Sequence, residues 1–485
     1  MKRIFTLILL VGGLSLAGCS DWLDVRPQTE TTKELMFETQ KGFRDALIGA
    51  YIRLKGGNAY GDALTWGNIE FMAQHWDLPA VSASSALANL KRYEYTNTYV
   101  EGWMGNMYYE LFRVIADVNS ILERIDDKKE IFDPGAYELV KGEALALRAF
   151  CHFDVLRMFG PIPGDTIATG PVLPYVKTVT NQVHPRVTAA RFADLVLEDL
   201  DEAERLLQPI DPITQYSIEA LNASESSGGF INLENTFLAY RQIRFNYHAV
   251  IAAKARVYLW TRDNDNARLH AQKVIDAKDK DGNPTFRLAD QSDMTLEDYA
   301  ASPEHILAIS LQNLATTAES RFGQGGSLMK QDLNYYLGNL FPTAEQTTDI
   351  RFKLWIPRAS DNNYKILTKF IQRASRPPLQ VPLLRLSEMY LILAEATPNL
   401  AEASTIYGRF CTAKGIPFNT FSDEADRRSR IVREYNREFY AEGQGFFTYK
   451  RLNTASILWA SYPITGSPAV YVVPLPRREL EYINE

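Results

Sequence analysis

Apolar residues recur at three- and four-residue steps along most of the chain, and that spacing predicts helices. Leu35, Phe43, Ala46, Leu47, Ala50, Tyr51 and Leu54 outline one buried face over Glu34 to Leu54, before Gly56-Gly57-Asn58 breaks it. The spacing resumes from Trp103 to Ile125 and again from Tyr137 to Phe159. The latter is apolar almost all round, so other helices should surround it, and Gly160-Pro161-Ile162-Pro163 should stop it. Further helices are predicted over Thr188 to Leu207, Tyr247 to Trp260, Asn266 to Ala277, Pro382 to Ala396, Leu400 to Thr412 and Asp426 to Glu442.

Two stretches read as antiparallel helix pairs joined by polar turns. AAKARVYLW and ARLHAQKVIDA flank TRDNDN, with Ala252, Ala255, Ala267 and Ala271 where a close crossing needs small residues. LSEMYLILAEA and LAEASTIYGRF flank TPN in the same manner. Turn length and small-residue placement are similar to the tetratricopeptide repeat, although the full 34-residue pattern is absent. Residues 58–100, 208–240, 279–345 and 452–485 lack helical period, and loops of that length are usually functional or carry small structure of their own.

The first residues have a different pattern. Lys2 and Arg3 precede an apolar run from Ile4 to Leu16, then Leu16-Ala17-Gly18-Cys19 and the polar Ser20-Asp21, which describes a secretory signal peptide over 1–18. The Leu-Ala-Gly-Cys ending resembles the bacterial lipoprotein signal, which makes Cys19 a lipid anchor held by several acyl chains. Residues 19–33 then form a tether and 34–485 one helical domain. Cys151 and Cys411 sit among apolar residues, so neither a disulfide nor a catalytic thiol is expected.

Composition narrows the function. Of 485 residues, 23% are charged and the formal net charge is −7, without the positive field a nucleic-acid partner requires. The six histidines lack metal-ligand spacing, so no metal or other cofactor is expected. There is no Gly-x-Ser-x-Gly elbow and no phosphate loop, and Asp279-Lys280-Asp281-Gly282 fails as a calcium loop because Ala277 and Leu288 stand where carboxylates belong. Aromatic residues are plentiful, with 7 Trp, 25 Tyr and 24 Phe. Sugar rings stack on such side chains while their hydroxyls need Asp, Asn or Gln alongside. Trp66, Asn68, Trp76, Asp77, Tyr335 and Tyr336 meet that description and are the candidate ligand-binding residues. The competing reading is that these rings plug loops onto the core.

The order of motifs resembles the SusD/RagB family of outer-membrane nutrient-binding lipoproteins, over nearly the whole chain. The resemblance rests on Cys19 to Pro27, on Gly42-Phe43 through Tyr51, and on Trp103, Tyr109 and Asn119. It continues with Arg148-Ala149, Phe153 and Phe159 to Pro163, then Pro382 to Leu391 with Ala394-Glu395-Ala396, and closes on Arg437-Glu438-Phe439, Glu442-Gly443, Lys450-Arg451 and Pro474-Leu475-Pro476 with Glu479. Two departures stand out. Members usually carry Arg and Asp where this chain has Gly445 and Thr448, and residues 79–89 hold no aromatic ring where the family often supplies one.

The resemblance implies a mainly α, tetratricopeptide-like hairpin scaffold with minor β structure and ligand-binding insertions at about 58–100 and 279–345. It also implies a surface-exposed outer-membrane lipoprotein, not an enzyme, that binds oligosaccharides and delivers them to a SusC-like TonB-dependent transporter. Peptide capture on the same scaffold is the alternative, and a lipid-anchored hydrolase a third.

Overall fold

A computed structural model describes residues 34–77, 84–165, 169–231, 236–331, 337–371, 379–457, 460 and 463–481. The predicted signal peptide, Cys19 and the whole of the predicted tether lie outside the described residues. The long helices are α1 (Gln40–Leu54), α2 (Thr98–Leu122), α3 (Ala136–Phe159), α4 (Ala189–Leu207), α5 (Tyr247–Thr261), α6 (Asn264–Ile275), α7 (Leu386–Ala396), α8 (Leu400–Lys414) and α9 (Glu424–Glu438). Their N-termini are set by side-chain caps at Thr39, Asn97, Thr188, Asn246, Asp263, Asn399 and Asp423, each accepting from a backbone N–H of the first turn. The α3 helix is buried on nearly every side, as its apolar circumference predicts.

Helices adjacent in sequence pack together, α2 on α3, α3 on α4, α5 on α6 and α7 on α8. Contact between α6 and α7 stacks one hairpin on the next, the arrangement of a tetratricopeptide-like array. The α5–α6 turn is shorter than TRDNDN: helix resumes at Asn264 after Arg262 adopts a left-handed φ of 66°. Gly415 closes α8 at φ +69°, where a Cβ would meet the Thr348 carbonyl oxygen at 2.3 Å. Buried apolar side chains form one cluster that reaches from Phe37 to Val473.

Two expectations are corrected. The helix drawn from Glu34 is interrupted at residues 37–39, which leaves Leu35 66% exposed. Residues 382–385 belong to a strand, because β7 (Gln380–Arg385) pairs antiparallel with β3 (His305–Ser310) before running straight into α7. Both strands are short apolar runs, which periodicity cannot separate from buried helix. A second sheet has the order β4-β6-β5 (Met329–Gln331, Asp361–Leu367, Trp355–Arg358), and β1 (Leu173–Pro174) pairs with β2 (Arg186–Val187) in a hairpin.

Buried ion pairs fasten the C-terminal elements to the rest. Arg385 donates to Glu442 at 2.9 Å, Glu438 at 2.6 Å and Glu304 at 3.1 Å, and Lys414 reaches Glu304 at 2.5 Å. Burial alone would raise the Glu438 carboxyl, yet Lys414, Arg385, Arg351 and Lys369 hold it well below the usual range. Arg256 grips Glu388 through two bonds of 2.6 Å. Several positions that carry the family resemblance are therefore structural ions. Gly445 also has a steric account: a Cβ there would lie 2.7 Å from His75 Cε1. The neighbouring cation is Arg157, which binds Asp154 and Gln444 and lies 3.9 Å from the Phe447 ring centroid.

Candidate functional site

Residues 58–77 wind through tight turns and one short helix, Asn68–Met72. Trp76 Nε1 donates to the Trp66 carbonyl at 2.7 Å, so one ring is hung from the backbone of the other. Trp76 packs 5.6 Å from Phe322 and edge-on to Tyr440 at 5.1 Å, while Trp66 meets Phe322 and Phe370 at 5.9 and 5.7 Å. Both tryptophans are 0% exposed. Their candidacy as stacking surfaces is thus corrected: long-range partners from the 314–322 helix, the end of β6 and the end of α9 cover both rings.

The polar candidates nearby are occupied too. Asn68 is half-buried, with its amide nitrogen 3.9 Å from Met107 Sδ. Asp77 is buried; its N–H donates to the Met329 carbonyl at 2.9 Å, and its Oδ2 accepts from the Gln331 N–H at 2.9 Å. Lys91 and Lys330 lie 3.3 and 3.4 Å from its carboxylate. Burial pushes the Lys91 ammonium down to about 8 against the upward pull of Asp77, with Lys330 adding to the depression. The Asp77 carboxylate is a structural anchor at the base of this region.

That anchor brings together the stems of the two loops the sequence singles out. Residue 77 precedes 78–83 and residue 331 precedes 332–336, and the bonds of Asp77 to Met329 and Gln331 hold these two positions together. Tyr335 and Tyr336 follow Gln331 by four and five positions and lie outside the described residues. Gln331 pairs with Tyr364 across β4 and β6, and Arg358 Nη1 lies 3.2 Å from Met329 Sδ. Lys91, Lys330, Gln331 and Tyr364 were missed because three-residue β4 is too short to show alternation and Lys91 ends a six-residue helix. The site is a platform of paired loop stems above a dry aromatic floor.

Two groups with catalytic potential elsewhere, His75 and Cys411, are held in structural settings. His75 is held between Glu70 Oε2 at 2.5 Å and Asn436 Oδ1 at 2.7 Å and stacks on Tyr440 at 4.2 Å, with the Tyr440 hydroxyl donating to its carbonyl. Cys411 is buried and its thiol is pushed up to about 12 by that burial, with Glu434 adding to the shift. Among the described residues no group of three His, Cys, Asp or Glu side chains could hold a metal ion, and no helix is long and apolar enough to cross a membrane.

Comparison with known proteins bears on this arrangement. Residues 21–224 match a SusD-like family model described as starch-binding, associating with outer membrane. A SusD superfamily protein from Bacteroides vulgatus superimposes with a TM-score of 0.68 at 19% identity, covering 92% of this chain and 98% of that one. The chain is similar to the SusD-like family over residues 21–224 and shares the fold of SusD-superfamily structures. A SusD-like carbohydrate-binding protein from the same species superimposes at 0.64 with 18% identity, covering 86% of this chain and 84% of that one. In sequence, this SusD-like chain is 28% identical over 216 residues to SusD-like protein P38 of Formosa agariphila, 44% of this chain and 39% of the relative. It is 22% identical over 169 residues to SusD-like protein P25 of that organism, 34% and 31% of the two chains. The matched stretches thus span about two fifths or less of these relatives. The family-model match includes α1 to α4 and the Asp77 stem but ends before the Gln331 stem.

Proposed function

We propose that this SusD-like protein is a non-enzymatic oligosaccharide-capturing lipoprotein whose ligand meets the platform at Asp77 and Gln331, with Tyr335 and Tyr336 as its stacking rings. The observation that carries the reading is the junction of the two loop stems, within a scaffold that superimposes over its length on SusD-superfamily proteins. The family model's starch-binding description and the carbohydrate-binding neighbour support the ligand class. Acylated Cys19 would hold the chain on the outer-membrane surface, and a SusC-like TonB-dependent transporter would receive the sugar. The outer-membrane association in the family description supports that setting.

Isothermal titration of the full mature chain against a glycan panel tests the binding reading. The expected result is reversible, micromolar to millimolar binding, about −8 to −4 kcal/mol, weakened at least tenfold by Tyr335→Ala or Tyr336→Ala. Preference for peptides over every glycan, or turnover of a bound glycan, overturns it. Cys19→Ser should release the protein from the membrane fraction, and retention there would remove the anchor assignment.

A further inference from the structure

Away from the loop-stem platform, the long connection of the β1–β2 hairpin arches over α2 and leaves an open groove of about 790 Å³. Small-molecule sites fall within this volume range. Its floor is one face of α2, where Tyr109, Phe112 and Ala116 are all half-buried. The end near the C-terminal segment is shut by Glu479, whose carbonyl accepts from Arg186 Nη2 at 2.7 Å and whose carboxylate accepts from the buried Tyr108 hydroxyl at 3.4 Å.

The arch is held in place before any ligand arrives. Asn119 Nδ2 donates to the Val176 carbonyl at 3.0 Å, and the Val176 N–H donates to His152 Nε2 at 2.9 Å. Asn119 in turn accepts from Arg148, which grips Asp199 through bonds of 2.6 and 2.7 Å. The Val179 N–H donates to Glu123 Oε1 at 2.6 Å, and Phe112 meets His152 edge-on at 5.8 Å. Preorganisation of this kind lowers the entropic cost of binding.

The chemistry of the walls selects the ligand. The rim carries the exposed hydroxyls and amides of Thr178, Thr180, Asn181 and Gln182, and Val179 and Val183, 46% and 62% exposed, add apolar surface. Of the charged lining groups, Arg186 is bonded to the Glu479 carbonyl and the Glu479 carboxylate to Tyr108, and Lys177 on the arch is paired with Glu198 at 3.3 Å. Half-buried rings beneath neutral donors and acceptors suit a polyhydroxylated ligand without charge.

We propose that this groove is a second oligosaccharide-binding site, taking a neutral glycan segment stacked on Tyr109 and Phe112 and hydrogen-bonded by the arch. The proposal rests on the glycan-capturing reading above, and the test separates the two. The full mature chain is titrated with neutral oligosaccharides as wild type, as the Tyr335→Ala/Tyr336→Ala double variant, and as the exposed-arch variant Asn181→Ala/Gln182→Ala. Phe112→Ala is added with thermal unfolding as a control for its fold. The groove predicts binding that survives in the Tyr335/Tyr336 variant and weakens at least tenfold when the arch changes or Phe112→Ala are added to it. A single site abolished by Tyr335→Ala/Tyr336→Ala and indifferent to the arch overturns the groove while leaving glycan capture intact. Binding of peptides but of no glycan overturns both.

Discussion

Two regions of this protein are rich in aromatic side chains beside polar ones, and they have opposite fates. Around Trp66 and Trp76 the main polar neighbours are occupied from within: Trp76 Nε1 by a carbonyl, Asp77 by two lysines and a backbone N–H, and His75 by Glu70 and Asn436. Around Tyr109 and Phe112 the neighbouring hydroxyls and amides stand on an exposed arch. Aromatic rings beside polar residues therefore make a ligand site only where the polar groups still face water. In the first region the same residue types make a dry, internally bonded knot.

Substitutions can sharpen or break that contrast. The largest effect is expected for Trp76→Ala, which empties the centre of the knot and should cost about 3–5 kcal/mol of stability in denaturant unfolding. A loss below about 1 kcal/mol would mean that the ring is not core. Asp77→Asn leaves Lys91 and Lys330 buried without their carboxylate and should cost about 3 kcal/mol, with the Lys91 ammonium titrating lower still. Gly445→Ala should cost about 1–3 kcal/mol, because its Cβ strikes a His75 ring already fixed by two hydrogen bonds. On the groove side, Phe112→Ala removes a half-buried ring and should cost only about 1–2 kcal/mol of stability, so its expected effect on glycan binding can be measured on folded protein.

Acid provides a further comparison. Burial pushes His248 down to about 4, outweighing the opposite pull of Asp211, and pushes His152, which supports the arch, well below its ordinary value. Between about pH 6.5 and 4 the unfolded chain binds the extra protons, so these groups' contribution is complete above 6.5 and declines as pH falls. His248 alone should account for about 3 kcal/mol by pH 4, and His248→Leu should flatten that part of the unfolding-versus-pH curve.

Helix spans and the burial of α3 on all sides were legible in the sequence, because three- and four-residue spacing acts within a turn or two. Breaker pairs such as Gly160-Pro161 were equally local. The strand at 380–385 was not legible, since a short apolar run reads alike as strand or buried helix until β3 pairs with it. Nor was the burial of Trp66 and Trp76 readable, because Phe322, Phe370 and Tyr440 reach them from more than 240 residues away.

The sequence by itself determined the helical scaffold and, as expectations, marked a leader over residues 1–18 and two loops for ligand binding. The tertiary structure alone decided that Asp77 and Gln331 are bonded to each other, that Gly445 makes room for His75, and that Tyr109 and Phe112 stay only half-buried at the groove. The division follows from range. Backbone conformation depends on near neighbours in the chain, whereas the exposure of a side chain depends on what the rest of the fold brings to it.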